Sequence, residues 1–194
     1  MASQLSSALE NRAVRSSLLV QRGCSPANDA RGYLLPFLTA RDAVAQRRKE
    51  NEREARKLAV LLPVWKWAEG VSGFGSLGLA QIVGEAGDLS AYSDKSKLWK
   101  RMGLAVIDGQ RQRRVKGADA LRHGYSPERR AIMFCIGDSL IKKQGPYREI
   151  YLQRKEYEQA KLPEPEGFKM VWHRRAQRYM EKWLLRDLWR EWGK

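Results

Sequence analysis

Several residue types are scarce in this chain, and each scarcity removes a class of protein. Its 194 residues hold two cysteines, Cys24 and Cys135, and two histidines, His123 and His173. They form no CxxC pair and no His/Cys set at zinc-finger spacing, so neither a zinc module nor any other metal site or cofactor is expected. The cysteines read as reduced thiols, with Cys135 buried in an apolar run. No apolar stretch approaches the roughly 18 residues of a membrane span. No run alternates polar and apolar residues as a half-buried strand does, so the fold class is all-α. Acidic residues are also short, with 22 Asp and Glu against 37 Lys and Arg and a net charge of +15. Such an excess points to a polyanionic partner, with nucleic acid ahead of an anionic membrane surface. The N-terminus, MASQLSSALENRAVRSSLLVQRG, has no apolar core or cleavage site of a secretory signal. It is rich in Ser and Arg with one acid, Glu10, a composition that transit peptides share. A cytoplasmic, nucleoid-associated protein without membrane contact is the expectation.

Along the chain, residues 1–22 read as a short helix and RGCSPANDARG as a turn-rich linker. After YLLPFL, broken by Pro36, a long helix is predicted to open at Thr39 as N-cap. Its first half is almost all charged, with Glu and Arg/Lys at i,i+4 spacing. Its second half is apolar (Leu58, Leu61, Leu62, Val64, Trp65, Ala68), and Pro63 should kink or restart it. The organisation expected is an N-terminal segment and linker (1–38), a charged helical arm (39–70), a compact helical domain (71–160) and a C-terminal amphipathic helix (161–194). In that last helix Trp172, Ala176, Tyr179, Met180, Trp183 and Leu184 share one side. The tryptophans there (Trp172, Trp183, Trp189, Trp192) read as core or dimer contacts.

Two stretches carry chemistry. The first is VSGFG, residues 71–75, between two helices. Glycine at a helix end takes positive φ without steric cost, and a second glycine lets the backbone approach a neighbour. The unpaired amides of the next helix could then hold a phosphate, with Phe74 anchoring the turn. Ser72, Gly73, Gly75 and Ser76 are the candidate residues. The plainer reading is an ordinary connection with a glycine C-cap. The second stretch is QRQRRVKG, residues 110–117, followed by further cations. Arg111, Arg113, Arg114, Lys116, Arg122, His123, Arg129 and Arg130 are candidate phosphate contacts, with Gln110 and Gln112 interleaved. The plainer reading is a solvated basic loop.

Further motifs give the order SGFG (72–75), GEAGDLSAY (84–92), LWKRMGLA (98–105), VKGA (115–118) and RRAIMF (129–134). In that order, from residue 58 to about 160, the chain resembles the C-terminal transposase domain of the bridge-RNA-guided insertion-sequence transposases, the group named for insertion sequences 110, 116 and 902. The resemblance implies a helix-hairpin-helix motif at the SGFG turn. It implies a recombinase moving DNA by strand exchange under a structured guide RNA, and multimers formed partly through the helical arm. It also implies an N-terminal RuvC-like domain whose acidic residues hold magnesium, and a catalytic serine in the basic loop. Here only about 35 residues precede the arm, and none reads as a strand bearing acidic ligands. The position matching the serine is Arg111, and no serine occurs from 97 to 125. Ser126 is the nearest hydroxyl, with His123 as the one nearby base. Its better role is N-cap of the following helix, with Pro127 at N1 and Glu128 in the first turn.

Three readings follow. One is a transposase-family protein that binds DNA, and a guide RNA with it, without catalysis by itself. Another is an active or split DNA strand transferase working with a separate nuclease domain. The third is an oligomeric helical protein-interaction module.

Overall fold

A computed structural model describes residues 27–162 and 170–194, with side chains from Tyr33 onward. The helix expected over 1–22 lies outside the described residues, as does most of the LPEPEG hinge. The chain divides into two units, Met1–Arg53 and Glu54–Lys194.

The described part of the first unit is helix throughout. It belongs to α1, which spans Ala27–Val60 and carries Pro36 in its interior. The linker reading therefore fails from Ala27 onward, and so does the start at Thr39. Proline removes one i→i−4 bond, but each further residue of a 34-residue helix adds one. Thr39, far from capping, donates its hydroxyl back to the Leu35 carbonyl at 2.9 Å. Arg48 and Glu52 pair at 2.8 Å at i,i+4 spacing, and Gln46 donates to Glu50 at 3.0 Å. These exposed contacts add tenths of a kcal/mol each, about 0.3–0.5 for an i,i+4 pair.

In the second unit α1 ends at Val60, and Pro63 lies in the turn before α2 (Trp65–Gly70). Then come α3 (Gly75–Ala86), a 3-10 turn (Leu89–Ala91) and α4 (Lys95–Arg101). Asp88 and Asp94 cap the last two, accepting from the amides of Ser90 at 2.9 Å and Ser96 at 3.1 Å. A hairpin of β1 (Val106–Ile107) and β2 (Gln110–Arg111) follows, pairing Val106 with Arg111 and Ile107 with Gln110. No strand was expected from the sequence. The hairpin forms because Asp108 (φ 51°) and Gly109 (φ 72°) both take positive φ, as a type I′ turn requires. With two-residue strands the fold remains all-α.

After α5 (Asp119–His123), three longer helices supply half of the buried core: α6 (Pro127–Lys142), α7 (Pro146–Lys161) and α8 (Val171–Trp192). α8 packs against α7, α6, α4 and the 3-10 turn. It buries Ala176, Met180, Leu184 and Leu188, flanked by Gln177, Glu181 and Leu185. That stripe is rotated from the expected one, leaving Tyr179 and Trp183 half-exposed. Both lie against cations. The Arg154 guanidinium is 4.6 Å from the Tyr179 ring, and that of Arg186 is 3.5 Å from Trp183. Indole N–H groups tie α8 into the unit. Trp189 donates to the Tyr92 carbonyl at 3.0 Å and Trp192 to Asp88 at 2.9 Å. Trp99 donates to the Lys182 carbonyl at 3.0 Å. In α6 the buried face is Met133, Ile136, Gly137 and Leu140. Cys135 turns outward and is exposed, against the expectation from its apolar run.

Candidate nucleic-acid interface

Gly73 and Gly75 both have positive φ, 92° and 63°, so both need glycine. What they approach differs. A Cβ on Gly73 would lie 2.9 Å from the Ser139 carbonyl oxygen and 3.1 Å from the Leu140 Cα. The close approach at Gly73 is therefore to the chain's own α6. Ser72 packs there too, its hydroxyl donating to the Lys143 carbonyl at 3.4 Å. Phe74 is 5% exposed and anchors the turn. Gly75 opens α3 with nothing within 4 Å of its Cβ position. Gly75 and Ser76 lie in the first turn of α3. No side chain caps α3.

The basic segment divides more sharply. Arg122 is paired with Asp108, its Nη2 2.6 Å from both carboxylate oxygens. Arg129 donates to Glu85 at 2.9 Å. Arg130 meets Glu181 at 2.8 Å, in an ion pair too skewed there to be a hydrogen bond. His123 is half-buried, with a buried Nδ1 that has no partner among the described residues. Gln112, interleaved among the cations in sequence, is 2% exposed. Its amide accepts from the Ala105 N–H at 3.1 Å and donates to the carbonyls of Lys100 and His123 at 3.0 and 2.6 Å. It pins the hairpin to α4 and α5. Arg111, Arg113, Arg114 and Lys116 remain exposed and form no ion pair among the described residues.

Around them the structure assembles cations that the sequence reading missed. A cleft of about 440 Å³ lies between the hairpin, α6 and α8. Arg111, Arg113, Arg130, Arg174 and Arg178 line it, with no carboxylate among the described residues. A neighbouring cleft of about 740 Å³ shares Arg111, Arg174 and Arg178 and adds Arg154, Lys161, Arg175 and Lys182, against one acid among the described residues, Glu158. Glu158 is already held by Arg175 at 3.1 Å and by Arg154. Crowding shows in the titrations. Arg178 is pushed down by burial and then by Arg130, and Lys182 by burial and then by Arg178 and Arg154. Burial pushes the Glu181 carboxyl up to about 7, opposed by Arg130 and Arg178. The missed signal was legible: Arg174, Arg178 and Lys182 recur every four residues on one helix face.

The glycine turn and this cleft lie along the same helix, α6. The turn sits on the C-terminal end of α6, at Ser139 and Leu140, whereas Arg130 and Ala131 at its other end line the cleft. At 1.5 Å rise per residue they are about 14 Å apart along the helix, while Phe134, which also lines the cleft, is about 8 Å from the turn.

Ser126 occupies the N-cap of α6, where its hydroxyl accepts from the Arg129 amide at 3.2 Å and donates to Glu128 at 2.8 Å. Its own N–H and then Ser126 hold the Glu128 carboxyl low, with Arg114 adding to the effect. Among the described residues no group of three His, Cys, Asp or Glu side chains could hold a metal ion. None of their helices is long and apolar enough to cross a membrane.

Over 113 residues, 58% of this chain, the sequence is 28% identical to the uncharacterized 44.8 kDa protein of insertion element IS116 from Streptomyces clavuligerus. The match spans 28% of that relative's length. No protein-family model and no solved structure matches the chain. The chain is thus similar to part of a mobile-element protein.

Proposed function

We propose that the chain is a DNA-binding, helical part of an insertion-element transposase, and that it grips the phosphate backbone in the arginine cleft. The observation that carries this is the cleft between the hairpin, α6 and α8, with five arginines and no carboxylate among the described residues of its walls. Gathering like charges costs stability, and a bound polyanion offsets that cost while releasing counterions. The likeness to the insertion-element protein supports the transposase part of the reading. The first turn of α3, at Gly75 and Ser76, is a second backbone contact in this reading, and a structured guide RNA is a second polyanion of the same chemistry. No catalytic step is assigned to Ser126, whose hydroxyl is engaged as a helix cap.

A second observation favours self-association through the arm. Tyr33, Phe37 and Val44 share one face of α1 and are 77%, 63% and 64% exposed. A second copy of α1 is the partner proposed. Light scattering should give a dimer or larger assembly that Phe37→Lys weakens; a monomer at all concentrations would discard it.

The binding reading is tested by fluorescence anisotropy of the purified chain on duplex DNA across a salt series. Affinity should fall with salt at a log–log slope of about −4, the value for four to five phosphate contacts. Absence of binding at about 100 mM salt would sink the reading, since a protein with that many contacts still binds there.

A further inference from the structure

The smaller cleft is not purely a phosphate trough. Its floor is apolar and aromatic: Tyr125, Pro127, Ala131 and Phe134 line it together with the arginines. Phe134 is 46% exposed, although Met133 and Ile136 beside it on α6 are core residues. An aromatic ring left open at the base of an arginine-walled cleft gains nothing from a bare phosphate, which prefers polar surroundings. A ligand that is anionic at its edge and flat and apolar at its face satisfies both parts. The surroundings are also fixed. Gln177, 1% exposed, donates to the Phe134 carbonyl at 2.9 Å and locks α6 to α8. A Cβ on Gly103 would lie 3.5 Å from the Tyr125 ring, so that ring is seated against backbone.

Resting on the nucleic-acid reading above, we infer that this cleft takes an unpaired base of a single strand. The base stacks on Phe134, and its flanking phosphates lie on Arg111, Arg113 and Arg174. Duplex DNA presents base edges in its grooves and keeps base faces covered by neighbouring pairs, so a ring at the cleft floor can be used only by a base outside the stack. Aromatic platforms in cationic grooves are the general means of holding single strands. A volume of about 440 Å³ is large enough for one nucleotide.

The test compares a fluorescein-labelled 20-nucleotide oligo(dT), the same strand with abasic sites, and a 20-base-pair duplex. The proteins are the full chain, Phe134→Ala, Phe134→Trp and Arg111→Glu. Phe134→Ala should lower the ratio of single-strand to duplex affinity about tenfold, in the range of stacking losses. Phe134→Trp should restore the ratio, and abasic sites should mimic Phe134→Ala on the unaltered protein. Arg111→Glu should weaken all three ligands and leave the ratio in place. An unchanged ratio in Phe134→Ala overturns the stacking inference while leaving the backbone-binding reading intact. Displacement of the strand by micromolar dTMP would overturn it in favour of a mononucleotide pocket. Loss of all binding in the unaltered protein overturns both.

Discussion

The glycine turn and the arginine cleft look like equals in the sequence, each a candidate grip on phosphate, but the folded chain treats them differently. At Gly73 the unusual residue is explained from inside: its missing Cβ leaves room for the backbone of α6. In the cleft five arginines converge on a volume with no carboxylate among the described residues of its walls, and burial, then the like charge of Arg130, pushes down the proton affinity of Arg178. A feature that the fold itself uses is weak evidence of a ligand. A feature that burdens the fold, and that Glu181 behind the wall relieves only in part, is stronger evidence.

The largest expected effect separates the two glycines of the turn. Gly73→Ala adds a Cβ 2.9 Å from a backbone oxygen at a φ of 92°. It should cost about 3 kcal/mol, combining overpacking with left-handed strain. For a chain of this size that is roughly a 10 °C fall in Tm. Gly75→Ala meets only the φ penalty, about 1 kcal/mol. Thermal melts of both variants read the difference directly. Equal stability losses would dissolve the contrast between packing and presentation.

Next in size is the effect of charge. Arg111→Glu combined with Arg113→Glu should weaken duplex binding about 100-fold, or about 2.7 kcal/mol. The loss should be similar on any sequence, because phosphate contacts carry no base information. Lys142→Glu, at the turn end of α6, should change binding by less than threefold. Lys142 already pairs with Asp138 at 2.6 Å. If Lys142→Glu matched the double reversal, the turn rather than the cleft would be the principal contact.

How much of this was legible follows from how local each signal is. α6 and α7 announce themselves through proline in the first turn, and Ser126 caps α6 as its neighbours predict. The start of α1 was hidden because Pro36 reads as a breaker, and a local rule cannot weigh one lost bond against a long helix. The hairpin was signalled by Asp108–Gly109, but strands of two residues show no alternation. The status of the arginines could not be read at all. Arg129 finds Glu85 44 residues away and Arg130 finds Glu181 51 residues away, so only folding separates neutralised cations from free ones. The outward turn of Cys135 and the inward turn of Gln112 depend likewise on helix rotation and loop closure.

A smaller effect lies behind the cleft wall. The Glu181 carboxyl titrates near 7 in the folded chain against an ordinary 4.5, because burial disfavours its charge. A raised carboxyl pKa means the folded state holds the proton more tightly. That stability is fully present below about 4.5 and is lost as pH rises through about 7. The loss should be on the order of 2 kcal/mol, seen as a falling Tm between pH 5 and pH 8. Glu181→Gln should flatten that slope, because it removes the titrating group. A slope that persists in the variant would place the titration elsewhere.

The smallest effect concerns the serine hydroxyl beside the cleft. Ser126 stands next to Pro127, which lines the cleft, and its oxygen takes the Arg129 amide at 3.2 Å while its proton goes to Glu128. A cap of this kind contributes about 1 kcal/mol. Ser126→Ala should therefore lower stability by that amount and leave the affinity and salt slope for duplex DNA unchanged. Ser126→Asp, which keeps an acceptor at the N-cap, should recover the stability. A nucleophile would behave in the opposite way, since aspartate cannot replace its hydroxyl. A strand-transfer assay in which both variants are inactive while melting normally would move Ser126 from cap to catalyst, and the cleft from a grip on DNA to the place where DNA is cut.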